Sequence, residues 1–551
     1  MKNSKYIFYW SCMLGTIVTL IGCSDSFLER PPKDALVDAS FYKTDDQVLS
    51  GTALLYSKVW HDYNDKASYN IGDFRGGSVF SAYNDQDNVH FNTTANTPEN
   101  GAAWRAFFNV VGQSNLAIQN IQKYAGDEVS AAVKTYAISE ARFMRAVAYR
   151  YLVMNWNEVP IIENNLTLLS DTTIHKNTSQ SIWRFITSEM RAVSENLPET
   201  PIRAGRVTKW SAEGMLARFY MARAGVEASG STRNQTFLDS AKYFAKRVIQ
   251  QSGAKLLSNY AELFLFPYDN NEESLFSLQW VFSGYGTSNS TPSYLNFSND
   301  IANGDGWGGD KGATLWMLSQ YDGLMSNGKT LDQRLKATFM LPGAYYPEIT
   351  QTIDGVDQDL VFPFVDQDVN FASIKKYVVG KAKDVGGKAG QQNYDNDTYM
   401  MRLAEVYLIY AEAELGNSPS TTDPTALEFF NAVHTRAGLP AFEDPLTFDV
   451  IFKERTIEFA MEAMTWYDLV NLHYYNPEKA YSILNSQDRG FYAVEPDKFP
   501  DATSWTFTPT SWANNNRTVT ANEGNFFLPI PAADAASAPN LRKNAVDYYN
   551  K

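Results

Sequence analysis

The sequence predicts a mainly α-helical fold, with four helix pairs of the tetratricopeptide kind forming a scaffold and a loop-rich mixed region of short strands mounted on it. Three observations lead there. Apolar residues recur at helical spacing in eight segments that fall into pairs near residues 45–124, 130–197, 208–252 and 399–438. Pairs three and four alternate small and large residues, with Ala at close contacts and Tyr, Phe and Leu between them, as stacked helical hairpins require. Two long stretches, about 64–99 and 270–393, are instead rich in Gly, Asn, Asp, Ser and aromatics and have little helical period.

The pairs are expected as Asp45–Trp60 with Ala103–Tyr124, Ser130–Trp156 with Ser181–Leu197, Thr208–Gly225 with Phe237–Ser252, and a last pair within Tyr399–Gly438. The first helix of the last pair is apolar on almost every turn, at Met400, Leu403, Ala404, Val406, Tyr407, Leu408, Tyr410, Ala411 and Leu415, so it is buried on several sides. It is too short and too charged for a membrane span. Arg402 and Glu405, three apart, are placed to pair along one face. Gly416-Asn417 stops this helix, and Asp423-Pro424 starts the next with an Asp cap and Pro in the first turn. No pair buries its apolar face alone, so the pairs must stack. A final helix is expected over about Asp449–His473, followed by a loop-like tail. Strand-like runs appear at Ser274–Phe282, Leu360–Phe364 and Ile374–Val379. Loops as long as the two inserted stretches are functional or disordered, and their aromatic content argues against disorder.

The N-terminus reads as an export signal. Lys2 and Lys5 precede an apolar run from Tyr6 to Ile21, and Leu20-Ile21-Gly22-Cys23 is a lipobox whose Cys23 becomes the lipidated first residue. Residues 1–22 are thus a signal peptide, 23–33 a lipidated tether with Pro31-Pro32, and 34–551 one domain. Cleavage takes the formal charge from −15 to −17 and removes Cys12, leaving Cys23 without a disulfide partner. Such an acidic chain is a poor match for nucleic acid or an anionic membrane surface, so membrane contact falls to the lipid.

The blocks RLAEVYLIYAEAELGN, NAVHTRAGLP, FKERTIEFAMEAMTWYDLV (Phe452–Val470) and NFFLPIPAADAASAPNLRKN (Asn525–Asn544), with SFLERPP and FYKTDDQVLSGTALLY near the start, resemble the signature blocks of the SusD/RagB family. The resemblance covers essentially the whole mature chain. It implies a SusD-like fold and a surface lipoprotein of the outer membrane that binds an extracellular oligosaccharide or polysaccharide without chemistry. It also implies a partner, a SusC-like TonB-dependent transporter, for which the protein acts as a lid. The chain departs from the family pattern at Ala463 and Thr465, where Gly and Arg are usual, and at His434, where Arg is usual, which puts the local ion-pair network in question.

The residues bearing on a site are fewer. Sugar rings stack their C–H faces on aromatic rings, and their hydroxyls need amide and carboxylate partners. Two stretches offer that mixture, Phe80–Asn88 and Tyr285 through Tyr294 into Trp307. The expected ligand contacts are Tyr83, Asn84, Asp85, Tyr285, Tyr294 and Trp307. No family motif marks them. Gly304–Gly309 (GDGWGG) matches the letters of a dinucleotide loop but lacks the strand and helix that such a loop needs. A Gly-rich loop that turns freely and lifts Trp307 out of the fold accounts for it better. Glu454, Glu458 and Glu462 stack four apart beside Arg455. The Glu-x-x-His pattern of a di-metal site is missing, so a structural role with Arg455 and backbone groups is expected. The five histidines have no metal-ligand spacing, no nucleophile motif is present, and nothing calls for a cofactor. A peptide-binding protein of the same fold, or an all-helical glycoside hydrolase, are the alternatives.

Overall fold

The computed structural model describes residues 38–550 apart from 170, 172, 303–304, 364–370 and 511–515. The expected signal segment, Cys23 and the tether lie outside the described residues, as does Gly304. The main helices are α1 (Asp45–Ala53), α2 (Pro98–Tyr124), α3 (Ala131–Trp156), α4 (Ser179–Asn196), α5 (Lys209–Val226), α6 (Gln235–Gln251), α7 (Leu403–Leu415), α8 (Pro424–Arg436), α9 (Phe448–Glu458), α10 (Thr465–His473) and α11 (Pro477–Ser486). Their starts are written locally. Ser130, Thr178, Thr208, Asn234 and Asp423 each accept a backbone N–H two or three residues into their helix, and Pro424 occupies the first turn of α8.

From α2 to α8 each helix packs on the next, and α6 packs directly on α7, so the 150 or so residues between them leave the stack and return to it. The helical core is continuous and includes Trp60, Trp183, Phe219, Leu408 and Trp466. A second core joins the inserted region to the segment after α9 and to the tail, built from residues including Phe74, Phe80, Leu295, Phe339, Ile374 and Tyr492.

The described residues hold twelve short strands, most of them in this region: β1 (Val79–Ser81), β2 (Ser274–Leu278), β3 (Lys311–Ala313), β4 (Phe339–Met340), β5 (Tyr345–Ile353), β6 (Val356–Val361), β7 (Ser373–Ile374), β8 (Ala389–Gly390), β9 (Asn393–Tyr394), β10 (Thr398–Arg402), β11 (Tyr492–Pro496) and β12 (Trp505–Pro509). The order β1-β3-β7-β4 forms one antiparallel sheet, and the rest pair as two-stranded ribbons.

Several expectations are corrected. The helix expected from Tyr399 begins at Leu403, because Thr398–Arg402 pairs with Ser274–Leu278 as strand β10. Apolar residues on every position suit a doubly buried strand as well as a buried helix. Arg402 does not pair with Glu405. Arg402 reaches Glu273, Glu458 and Glu462, while Glu405 meets Arg218 and Arg455. The helix expected to Trp60 ends at Ala53 and continues as tight 3₁₀ turns. The tail is not only loop, since it holds α11 and the β11–β12 hairpin. Residues 64–82 are not an open loop either: they wind into two wide π-helical segments and strand β1, almost wholly buried. Tyr69 and Phe74 take them into the second core. Asn64 ties the two insertions together through Asn289 at 2.8 Å and Thr398 at 2.7 Å.

The single helix expected over Asp449–His473 is broken between Glu458 and Thr465. Met461 and Ala463 adopt φ of 63° and 57°, and the buried Asp73 carboxylate accepts their N–H groups at 3.0 and 3.1 Å. The N–H groups freed by the break need acceptors outside the helix, and Asp73 supplies them. Ala463 stands in the left-handed region that favours glycine, which is the residue usual there by resemblance. Gly72 makes the contact possible: a Cβ there would lie 2.3 Å from the Ala463 Cα. Gly72→Ala is therefore expected to lower stability by about 1–3 kcal/mol, as overpacking does. A denaturant midpoint equal to wild type would contradict this packing.

Glu454 and Glu458 are buried and Glu462 is half-buried; all three are held by ion pairs, but not by Arg455, which turns to Asp468 at 2.7 Å. Glu458 meets Arg334, Arg402 and Arg436 at 3.1, 2.9 and 2.5 Å. Arg334 also holds Glu454 at 2.6 Å, and Lys376 and Arg402 hold Glu462 at 2.9 and 2.7 Å. The network is intact despite the departures from the family pattern, and His434 enters it on Glu454 at 2.8 Å. It fastens the inserted region, through Glu273, Arg334 and Lys376, to the scaffold helices α8 and α9.

Candidate functional site, an exposed aromatic platform

Strands β1 and β3 bring the two candidate stretches together. Antiparallel pairing sets Ser81 opposite Lys311, so the loop leaving β1 and the loop entering β3 emerge at the same end. The Ala82 N–H donates to the Asp310 carbonyl at 2.8 Å, which extends the pairing. Asp310 then joins both loops by its side chain. Its Oδ2 accepts from Ser81 Oγ and Asn84 Nδ2, each at 3.0 Å, and its Oδ1 from Lys311 Nζ at 2.6 Å. Lys311 Nζ also reaches the Trp307 carbonyl at 3.4 Å. Burial raises the Asp310 carboxyl, but the Lys311 ammonium, with Asn84 and Ser81, overrides it and holds the group below the usual carboxylate range.

Trp307 is set out by close packing of its neighbours. Its N–H donates to the Ser293 carbonyl at 2.9 Å, and that of Gly308 to Asn296 at 2.7 Å. A Cβ on Gly306 would lie 2.1 Å from the Ser298 carbonyl carbon, and one on Gly308 2.4 Å from that of Leu295. Neither glycine has a positive φ in the left-handed region. Glycine is needed here for backbone contact, not for the freedom to turn that the sequence suggested. The segment also runs into strand β3 rather than a helix, so the dinucleotide geometry is absent from the described residues.

Three of the expected rings stand in solvent, with Tyr83 67%, Tyr285 60% and Trp307 49% exposed. Tyr294, half-buried on a short helix at Thr291–Leu295, meets Trp307 edge-on at 5.6 Å and donates its hydroxyl to Gln392 Oε1 at 3.3 Å. Tyr285 lies near enough to Tyr294 for each to influence the other's ionisation. Burial first, then the nearby Asp65 carboxylate, raises the pKa of both, so both are neutral donors. Tyr285, Tyr294 and Trp307 thus form one contiguous surface, and Tyr83 lies across the β1–β3 junction from it.

Asn84 and Asp85 hold the loop as well as lining it. Asn84 is exposed but gives its amide to Asp310. Asp85, half-buried at φ 60°, accepts from Asn70 Nδ2 at 3.0 Å. The ends of the first candidate stretch are no part of the surface, since Phe80 and Asn88 are buried.

Sequence reasoning missed the supports. His61 packs edge-on against Tyr285 at 4.9 Å, and its Nε2 accepts the Gly286 N–H at 3.2 Å from 225 residues away. Lys66 stands over Tyr294, with Nζ 5.7 Å from the ring centroid. Asp310 follows the glycine run by one residue but carries no motif. Only the strand register brings it to Asn84. Among the described residues, no group of three or more His, Cys, Asp or Glu is placed to hold a metal ion. No described helix is long and apolar enough to cross a membrane.

A frame of stacked helical hairpins carrying aromatic rings open to solvent defines a helical-repeat scaffold protein with a displayed surface. Residues 272–549 match the model described as the SusD family, and residues 27–221 match one described as starch-binding, associating with the outer membrane. A SusD-like protein of Bacteroides ovatus is 35% identical over 97% of this chain and 97% of its own. A crystal structure solved with xylogluco-oligosaccharide is 34% identical and superposes with a TM-score of 0.81, covering 92% of this chain and 99% of that one. The starch-binding protein SusD of Bacteroides thetaiotaomicron is 24% identical over 70% of this chain and 72% of its own. The chain belongs to the SusD family.

Proposed function

We propose that this protein binds an extracellular oligosaccharide or polysaccharide at the cell surface and delivers it to a partner TonB-dependent outer-membrane transporter. What supports the reading best is the display of rings: Tyr83, Tyr285 and Trp307 exposed, Tyr294 against Trp307, and the Tyr83–Asn84–Asp85 loop tied through Asn84 to Asp310 at the foot of the Trp307 loop. Exposed flat rings next to amides and carboxylates suit sugar faces and hydroxyls. The family match, a relative named as starch-binding and a similar structure solved with xylogluco-oligosaccharide support a glycan. The lipobox at Cys23 and the family description support an outer-membrane lipoprotein, cleaved after residue 22 and tethered through residues 23–33 to one domain over 34–551. The transporter partnership rests on family membership alone.

Binding without cleavage is part of the proposal. The stacked glutamates that raise the question of hydrolysis, two of them buried and the third half-buried, are engaged by arginine and lysine. Incubation with polysaccharides should therefore release no new reducing ends. In affinity electrophoresis against a polysaccharide panel, Trp307→Ala is expected to weaken retention about tenfold or more, as loss of a central aromatic contact does. Its melting temperature should stay within a degree or two of wild type, because the ring is half exposed. Unchanged migration on every glycan that retains the wild type would remove Trp307 from the site.

A further inference from the structure

The charges around the platform are one-sided. Asp62 follows His61, whose ring packs on Tyr285, and Asp65 accepts from Ser290 Oγ; Asp305 accepts the N–H of Gln392, whose side chain takes the Tyr294 hydroxyl. Asp85 and Asp310 sit in and under the Tyr83 loop. Among the described residues around the rings, three cations stand against these five carboxylates, and two of the cations are each matched to one of the carboxylates. Lys311 is buried on Asp310, and Arg105 faces Asp62. Lys66 is exposed over Tyr294. Asp305 is fully buried behind Trp307. Its Oδ2 accepts from Ser293 Oγ and the Gln392 N–H, and its Oδ1 has no hydrogen-bond partner among the described residues.

From this arrangement we infer that the platform selects uncharged glycans and rejects those bearing carboxylate or sulfate groups. The inference rests on the glycan-binding proposal and narrows its substrate class. Ionised carboxylates accept hydrogen bonds and cannot donate them, so they suit sugar hydroxyls, which donate. A uronate or sulfate brought onto the same rings meets like charge at close range, a juxtaposition that interfaces use to exclude wrong partners. No bidentate arginine faces the exposed rings among the described contacts, although that is the group that recognises anionic ligands best.

The test compares a neutral polysaccharide that retains the protein with the same polymer after oxidation of its C6 hydroxymethyl groups to carboxylates. Titration calorimetry on the purified protein should show the oxidised polymer binding at least about tenfold more weakly in 50 mM NaCl, with the gap shrinking in 500 mM NaCl as the charges are screened. Asp62→Asn, a change at an exposed side chain, should narrow the gap by about two- to threefold. Equal or tighter binding of the oxidised polymer overturns the inference and leaves glycan binding standing. A gap that ignores salt also overturns it, since the discrimination would then be steric. Failure to retain any neutral glycan would overturn the glycan proposal and this inference with it.

Discussion

Glu458→Gln is expected to lower the free energy of unfolding by about 3 kcal/mol, at the low end of what breaking a buried ion pair does. The side chain is fully buried and meets three guanidinium groups, from Arg334, Arg402 and Arg436. Glutamine keeps the shape and removes the charge. The effect stays at the low end because each arginine retains another carboxylate: Asp332 and Glu454 for Arg334, Glu273 and Glu462 for Arg402, and Glu273 for Arg436. The pH dependence gives a second readout. Burial raises the Glu458 carboxyl, but Arg436, Arg402 and Arg334 override it and hold it far below the usual carboxylate range. A group depressed in the folded state contributes stability above its unfolded pKa of about 4.3, and that contribution is lost as pH falls toward the folded value. The difference between wild type and Glu458→Gln should thus be constant above about pH 5 and close progressively below pH 4. A loss under about 1 kcal/mol at pH 7 would show that the arginines are satisfied without Glu458.

Gly308→Ala is expected to impair glycan retention as much as Trp307→Ala does, although it removes no ligand contact. The added Cβ would fall 2.4 Å from both the carbonyl carbon and oxygen of Leu295. These are backbone atoms of the segment that positions Tyr294, so neither side yields without displacing a ring. The hydrogen bonds from Trp307 N–H to Ser293 and from Gly308 N–H to Asn296 must lengthen together. Overpacking of this kind lowers stability by about 1–3 kcal/mol, so Gly308→Ala should lose both retention and denaturant resistance, whereas Trp307→Ala loses retention alone. Wild-type retention by Gly308→Ala would show that Trp307 is placed by something other than this backbone contact.

Of the site, the residue types were legible and their assembly was not. Tyr83, Tyr285 and Trp307 stood out as aromatics in Gly- and Asn-rich segments, and each is exposed. Nothing local distinguishes Phe80 from Tyr83, yet one is buried beneath the sheet and the other stands in solvent. Phe80 lies within strand β1, buried along its whole length, and Tyr83 stands in the loop beyond its end, and so short a strand leaves little periodic signal. His61 and Asp310 are a similar case, since each acts on a partner more than 200 residues away.

Local chemistry determined the helical hairpins by itself. Helix starts at Ser130, Thr208 and Asp423 and the apolar faces that follow are interactions within a few residues, and such signals survive in a bare sequence. Tertiary structure alone decided the rest. The apolar run at Thr398–Arg402 satisfies a strand as readily as a helix, and the partner Ser274–Leu278 chose strand. The bend at Met461–Ala463 exists because Asp73 reaches it from 388 residues away. Periodicity states which face of a segment is buried. Only the contact made there states against what, because backbone and ionic groups out of water must find partners wherever the chain brings them.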